Sequence, residues 1–186
     1  RGFSAPVKLN FDYSRDDLLF LMGNDSDGFN RWDAGQSLAL DILLELSDRV
    51  LKGEALSLDE RLVSVFEKLL KDDTLDPAMV SQMLSLPSVS YLMEQQVPAE
   101  VHALITARSY VKHELATQLH SVFKACYDRC VLVGSYQPVQ EHMAKRTLKN
   151  LCLQYLLESA DNSYLKLAQD QFTNADNMTD QFAALT

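Results

Sequence analysis

The chain has 186 residues, of which 47% are hydrophobic and 23% are charged, so it can bury a sizeable core and is not intrinsically disordered. Lys and Arg number 17 against 26 Asp and Glu, a formal net charge of −9. This balance argues against a binder of nucleic acid or of anionic membranes, because such proteins need a basic face. Three cysteines form no obvious disulfide framework and favour a reducing compartment.

The first 28 residues differ from the rest. Apolar and polar residues alternate from Val7 to Tyr13, which predicts a strand with one buried face. A single strand cannot satisfy its own hydrogen bonds, so we expect it to be the last strand of a preceding β domain. The polar, glycine-containing stretch Met22 to Gly28 predicts a loop, and residues 1–28 are therefore predicted to be a strand and a linker. Because the first residue is Arg1, we also expect a processed product or a piece of a longer chain.

From about Asn30 onward the spacing of apolar residues predicts only helices. The first has Leu38, Ile42, Leu46 and Val50 on one face and ends at Gly53. Ser57 and Glu60 are spaced as a capping box at the start of a second helix. Its apolar stripe is Leu58, Leu62, Val65 and Leu69.

Two short helices follow. Asp76 and Pro77 predict the N-cap and first residue of one that runs to about Leu84, and Pro87 separates it from another over Ser88 to Gln95.

The longest predicted helix runs from Pro98 to about Val133, because neither Gly nor Pro interrupts it before Gly134. Its buried seam is predicted to be Leu104, Val111, Leu115, Leu119, Val122 and Cys126. Pro138 begins another helix, with Val139, Met143, Leu151 and Tyr155 predicted to face inward.

Asp161 and Asp176 are predicted to cap two more helices. Residues 29–186 are thus predicted to be an all-α array of antiparallel helices in a curved solenoid, although no strict sequence repeat is visible.

The segment with the strongest likeness to a metal site begins at His113-Glu114. A zinc peptidase helix needs a second histidine four residues later, and that position is Thr117. His120 shares a face with His113, but two helical turns separate the two by about 10–11 Å, too far for one Zn²⁺. We therefore expect a solvated helix face.

Other candidates have equally plain interpretations. Cys126 and Cys130 lie four residues apart and are typical of small core residues rather than of a metal or redox site. The basic residues Lys145, Arg146 and Lys149 predict a solvated face, with a docking contact as the alternative. Trp32 is predicted to pack between elements. We therefore predict no catalytic, cofactor-binding or metal-binding residue in this chain.

Several strings of the chain stand in the same order and spacing as in a known family. They are Arg1–Val7, Phe29–Ala34, Gln36–Leu38, Leu86–Val89, Ala144–Asn150 and Asn177–Asp180. Together they resemble the bacterial aminopeptidase N (alanyl aminopeptidase) family of zinc metallopeptidases. The resemblance covers essentially the whole chain, and no single string is diagnostic.

The resemblance implies that this chain is the last strand of a β-sandwich domain and the first part of a helical superhelix. In the family, the zinc motif and the motif that reads the substrate's free amine lie upstream, so zinc would be bound by a domain absent from this chain. The helical domain closes over the active site and forms a chamber that admits peptides. The implied function is a non-catalytic, chamber-forming segment of a cytoplasmic bacterial aminopeptidase, whose partners are its own upstream domains and peptide substrates. The alternative is a free-standing α-helical solenoid scaffold that binds a peptide or protein.

Overall fold

The computed structural model describes residues 11–159 and 161–185, and all regular secondary structure in these ranges is α-helical. The all-α fold class is therefore confirmed for this part of the chain. Most of the predicted strand lies outside the described residues, and Phe11 to Tyr13 do not form a strand. The helices are α1 Arg15–Asn24, α2 Gly28–Lys52, α3 Glu60–Lys71, α4 Pro77–Leu84, α5 Val89–Gln95, α6 Val101–Gln118, α7 His120–Arg129, α8 Gln140–Leu156, α9 Ser163–Asn174 and α10 Met178–Ala183.

Helix α1 occupies part of the segment that the sequence predicts to be a linker. Ser14 and Asp17 form a capping box, in which each side chain accepts a hydrogen bond from the other's backbone N–H, at 3.2 and 3.1 Å. Because α1 continues to Asn24, the prediction of a loop over Met22 to Gly28 is wrong for its first three residues. The connection to α2 is only Asp25 to Asp27.

Helices α2 and α3 agree with the predicted apolar stripes, and Leu38, Ile42, Leu46, Leu62 and Leu69 are all buried. Gly53 ends α2 in the left-handed conformation with φ 68°, as its position predicts.

The capping box predicted from Ser57 and Glu60 is wrong. Asp59 is the N-cap of α3 and accepts a hydrogen bond from the Arg61 N–H at 2.9 Å, whereas the Ser57 hydroxyl accepts one from Arg49 at 3.1 Å.

The long helix predicted from Pro98 to Val133 is two helices. The chain departs from helical geometry at Leu119, whose φ and ψ are −111° and 15°. This residue is buried, and the bend allows α6 to pack on α2 and α5 while α7 packs on α3 and α8. The predicted seam nevertheless stays buried across the bend, except for partly buried Val122.

The predicted inward orientation is correct for Tyr155 and in part for Leu151, which is partly buried against the core, and it is wrong for Val139 and Met143, which are exposed. The inward face instead consists of other residues of the same helix: Ala144, Leu148, Cys152, Leu153 and Leu156.

The N-caps of the last two helices are Asn162 and Asn177, each one residue after the predicted Asp161 and Asp176. The Asp161 carboxylate still accepts a hydrogen bond from the Ser163 N–H at 2.8 Å.

Tyr155 lies at the centre of a continuous core that extends from α1 to α9. Its ring stacks on Phe123 with centroids 4.5 Å apart and meets Phe66 edge-on at 6.3 Å. Its hydroxyl donates to the Leu84 carbonyl at 2.8 Å, so one side chain connects α3, α4, α7 and α8. Within the described ranges, no helix combines the length and hydrophobicity needed to cross a membrane.

Candidate functional site

His113 and His120, the histidines of the segment that resembles a metal site in sequence, form hydrogen bonds with different backbone carbonyls. His113 Nδ1 lies 2.9 Å from the Glu158 carbonyl oxygen, and His120 Nδ1 lies 3.0 Å from that of Thr117. Both histidines are exposed, as expected of a solvated face. Among the residues that the structure describes, no three His, Cys, Asp or Glu side chains converge on a possible metal site. These residues therefore do not fit a catalytic zinc ion.

The three cysteines are buried in the core, which confirms the interpretation of Cys126 and Cys130 as core residues. Contact with Cys130 lowers the pKa of the Cys126 thiol, but contact with Cys152 and burial outweigh it and raise that pKa to about 12. Contact with Cys126 and burial likewise raise the pKa of Cys130. Because the thiolate is the nucleophile and the metal ligand, the shifted pKa of these two thiols makes them unreactive at neutral pH.

The three basic residues of α8 have separate environments, so the predicted solvated patch is wrong for two of them. Lys145 is half-exposed and pairs with Glu141 at 2.8 Å. Arg146 and Lys149 are buried. The buried pair lies where α9, α10 and the loop that precedes α8 meet this helix, and these neighbours cover it.

Lys149 belongs to a buried polar network, and its Nζ lies 2.7 Å from Asp180 Oδ2. Asn150 donates to Oδ1 of the same carboxylate at 3.0 Å, and Asn177 donates to Oδ2 at 3.2 Å. Gln171 donates to the Asn150 side chain and to the Asp180 carbonyl, both at 2.9 Å.

The network continues to α7, because the Tyr127 hydroxyl donates to Gln171 Oε1 at 2.8 Å. It therefore joins α7, α8, α9 and α10. Desolvation and the nearby Asp180 carboxylate raise the pKa of Tyr127 to about 12, so this hydroxyl stays protonated as a donor.

A cleft of about 460 Å³ lies over this network and is the first candidate site. The Arg146 guanidinium lies 4.8 Å from the centre of the Tyr136 ring, and the Tyr136 N–H donates to Asp176 at 2.7 Å. On the rim, Asp128 and Asp170 pair with lysines of their own helices at 2.6 Å. Most of the carboxylates that line the cleft are thus already paired, and the arrangement holds helices together rather than positioning an acid and a base.

A second depression of about 640 Å³, the α4–α8–α10 groove, has a different character. None of the described residues that line it is charged, although 23% of the chain is. They are Ser81, Gln82, Ser85, Thr147, Asn150, Leu151, Gln154, Met178, Thr179, Phe182 and Ala183.

Comparison with known proteins identifies the fold. Residues 15–186 match the family model described as "Domain of unknown function (DUF3458_C) ARM repeats". The chain belongs to this ARM-repeat family. This match agrees with the helical array, whereas the antiparallel arrangement and the curvature remain predictions.

Nearly the whole of this chain also matches a part of aminopeptidase N, which confirms the resemblance inferred from the strings. It is 36% identical to "Aminopeptidase N" of Escherichia coli (strain K12) and 33% identical to that of Haemophilus influenzae, in each case over 99% of this chain. A crystal structure of Legionella pneumophila aminopeptidase A in complex with aspartic acid matches the whole chain with a TM-score of 0.83 and 28% identity. The chain spans only 21–22% of the length of these proteins.

Three of the strings that carry the resemblance contribute contacts between helices of this fold, whereas Arg1–Val7 lies outside the described residues. Ala144–Asn150 and Asn177–Asp180 supply the two ends of the Lys149–Asp180 ion pair. Phe29–Ala34 contains Arg31, a buried residue that donates to the Met22 carbonyl at 2.9 Å and so closes the end of α1. Trp32 is partly buried against the core, and its ring lies 5.6 Å from that of Phe29 on the same helix; its packing between elements stays a prediction. Asp180 was not predicted from the sequence, and only its place in the string Asn177–Asp180 could have indicated it.

Proposed function

We propose that this chain is a non-catalytic wall of a zinc-dependent aminopeptidase and helps to form the chamber around an active site built by other parts of the polypeptide. The observation that carries the proposal is the 36% identity to aminopeptidase N over 99% of this chain, which is 21% of that protein. In the family that this chain resembles, zinc is bound by an upstream domain.

The chemistry of the described residues supports a structural role. Some polar side chains of the family strings are buried between helices, and among them Lys149 and Asp180 form an ion pair that joins α8 to α10. Such buried pairs favour one arrangement of the helices, and a chamber wall needs a fixed shape to exclude folded proteins. The net charge of −9 would also raise the local concentration of peptides with cationic amino termini.

Activity measurements on the whole gene product and on the 186-residue chain test this proposal. The whole protein is expected to hydrolyse an alanyl anilide and to lose this activity with a metal chelator, whereas the chain alone is inert and binds no stoichiometric zinc. Chelator-sensitive turnover by the purified chain would contradict the non-catalytic role.

The chamber is tested by the size of the substrate. The whole protein is expected to remove the first residue from short or unfolded peptides and to leave the same sequence intact at the terminus of a compact folded domain. Equal rates on both substrates would argue against a chamber. We also propose the bacterial cytoplasm as its compartment, which fractionation of cells would test.

A further inference from the structure

Two cations of α8 are buried beside the cleft of about 460 Å³, but only one of them has a counter-charge. Lys149 pairs with Asp180 at 2.7 Å. Arg146 is only 4% exposed and forms no ion pair with any described residue, and its hydrogen bond to the Gln137 carbonyl is 3.4 Å long. Because a buried charge without a counter-charge is costly, packing alone does not explain this guanidinium.

The unused donors of Arg146 are open to the cleft. Arg31, the other buried arginine of the described residues, donates at 2.9 Å to the Met22 carbonyl at the end of α1. A guanidinium carries five N–H donors, and the Tyr136 ring at 4.8 Å and one long hydrogen bond leave most of those of Arg146 unused. None of its unbonded nitrogen atoms is sealed from solvent, so these donors can reach a ligand in the cleft.

A carboxylate without a cationic partner lines the same cleft. Asp176, between α9 and α10, accepts hydrogen bonds from Asn177 at 3.2 Å and from the Tyr136 N–H at 2.7 Å, but it pairs with no described lysine or arginine. These hydrogen bonds lower the pKa of Asp176, and the positive charge of Arg146 lowers it further without an ion pair. Each of the other carboxylates that line the cleft is paired with a lysine.

This arrangement is the complement of a small zwitterion. A ligand with a carboxylate and an ammonium group would give Arg146 and Asp176 one counter-charge each. An anion alone would be repelled by Asp176, and a cation alone would leave Arg146 unpaired. Val131, Leu132 and Leu167 add apolar surface to the cleft, and its volume lies within the usual range of small-molecule sites.

We propose that this cleft binds a small zwitterion, either a free α-amino acid or a short peptide, with its carboxylate at Arg146 and its ammonium group at Asp176. The inference goes beyond the proposed function and does not depend on it. A ligand held in this way would join α8 to the connection between α9 and α10.

Nuclear magnetic resonance of the isotope-labelled 186-residue chain tests the inference, because it reports on each position of the cleft separately. L-Leucine is expected to cause saturable shifts in the signals of the Arg146 side chain and of the Tyr136 and Asp176 amides. Isocaproate, which lacks the ammonium group, and isoamylamine, which lacks the carboxylate, should each bind at least tenfold more weakly. Glycyl-L-leucine distinguishes the two sources of the ligand, because tighter binding than that of L-leucine would assign the cleft to short peptides.

Two variants and a control test the two contacts. Arg146→Gln and Asp176→Asn should each weaken the binding of L-leucine, or of the dipeptide if it binds more tightly, at least tenfold. Asp176→Asn keeps an oxygen for the Tyr136 N–H at an exposed position, so it tests the site even if Arg146→Gln fails to fold. Lys145→Gln is the matched control and should change binding less than twofold, because Lys145 is a neighbouring cation of α8 that does not line the cleft.

Three outcomes would overturn the inference. If neither L-leucine nor glycyl-L-leucine causes saturable shifts at these positions, the cleft does not take a small zwitterion. Equal binding of L-leucine and isocaproate would make it a site for carboxylates in general. Unchanged affinity in Asp176→Asn would show that the ammonium contact is absent. Because the readout does not involve catalysis, each of these results leaves the proposed function standing.

Discussion

Removing the Asp180 carboxylate should destabilise the fold more than removing any surface carboxylate of similar appearance. Lys149 and Asp180 are only 10% and 9% exposed in their side chains and lie 2.7 Å apart. Asp180→Ala leaves the Lys149 ammonium buried without a counter-charge and deprives Asn150 and Asn177 of their acceptor.

The expected cost is about 3–5 kcal/mol, the usual loss when one partner of a buried ion pair is removed. For a domain of this size, this corresponds to a fall in Tm of about 6–20 °C. Asp170→Ala is the matched control, because Asp170 pairs with Lys166 at 2.6 Å on the surface of α9. That change should cost no more than about 0.5 kcal/mol.

Urea unfolding followed by circular dichroism measures both variants and the unchanged chain. A double variant, Lys149→Met with Asp180→Leu, leaves no buried charge unpaired. Its loss of unfolding free energy should therefore be smaller than the sum of the losses caused by Lys149→Met alone and Asp180→Leu alone. If Asp180→Ala and Asp170→Ala lower the unfolding free energy equally, the buried network does not hold α8 to α10. The structural role assigned to the strings Ala144–Asn150 and Asn177–Asp180 would then be wrong.

Three further predictions concern the cysteines, a helix end and the response to alkali. All three cysteines are buried, so at pH 8 the folded chain should not react with an aromatic disulfide reagent within minutes, whereas all three thiols should react in guanidinium. Fast reaction of Cys126 or Cys130 in the folded chain would contradict the raised pKa of these two thiols. Gly53→Ala should lower the unfolding free energy measured in urea by about 1 kcal/mol, because Gly53 has a φ of 68°. Gly23→Ala in α1 should be neutral or stabilising, because the nearest atom to the new Cβ would be Lys68 Nζ at 3.6 Å. The reverse order of the two effects would refute the assigned conformations. Because folding raises the pKa of Tyr127 to about 12, the protonated hydroxyl contributes fully to the free energy of unfolding below pH 10, and this contribution is lost as the pH rises towards 12. Tyr127→Phe should therefore reduce the fall of the unfolding free energy between pH 10 and 12, whereas Tyr91→Phe, at an exposed tyrosine, should not.

Features that depend on neighbouring residues were predictable from sequence. Asp76 caps α4, with its carboxylate accepting from the Met79 N–H at 3.0 Å, and Pro77 follows as the first helical residue. Gly53 ends α2 for the same kind of local reason. The apolar period also identified most of the core, because burial follows the helical repeat.

Features that depend on distant residues were not predictable. The break at Leu119 has no Gly or Pro, and it separates α6, which packs mainly on α2, from α7, which packs mainly on α8. Lys149 was assigned to a solvated face because its partner Asp180 is 31 residues away. The exposure of Met143 likewise depends on which helices cover α8, which periodicity alone does not decide.

The coding sequence around the codon for Arg1 tests the central claim most directly, namely that this chain is a non-catalytic part of a larger aminopeptidase. The account predicts an open reading frame that continues upstream and encodes a His-Glu-x-x-His motif together with a Gly-x-Met-Glu-Asn string. A start codon close to Arg1, with no such motifs in frame, would contradict it and would instead indicate a free-standing helical scaffold.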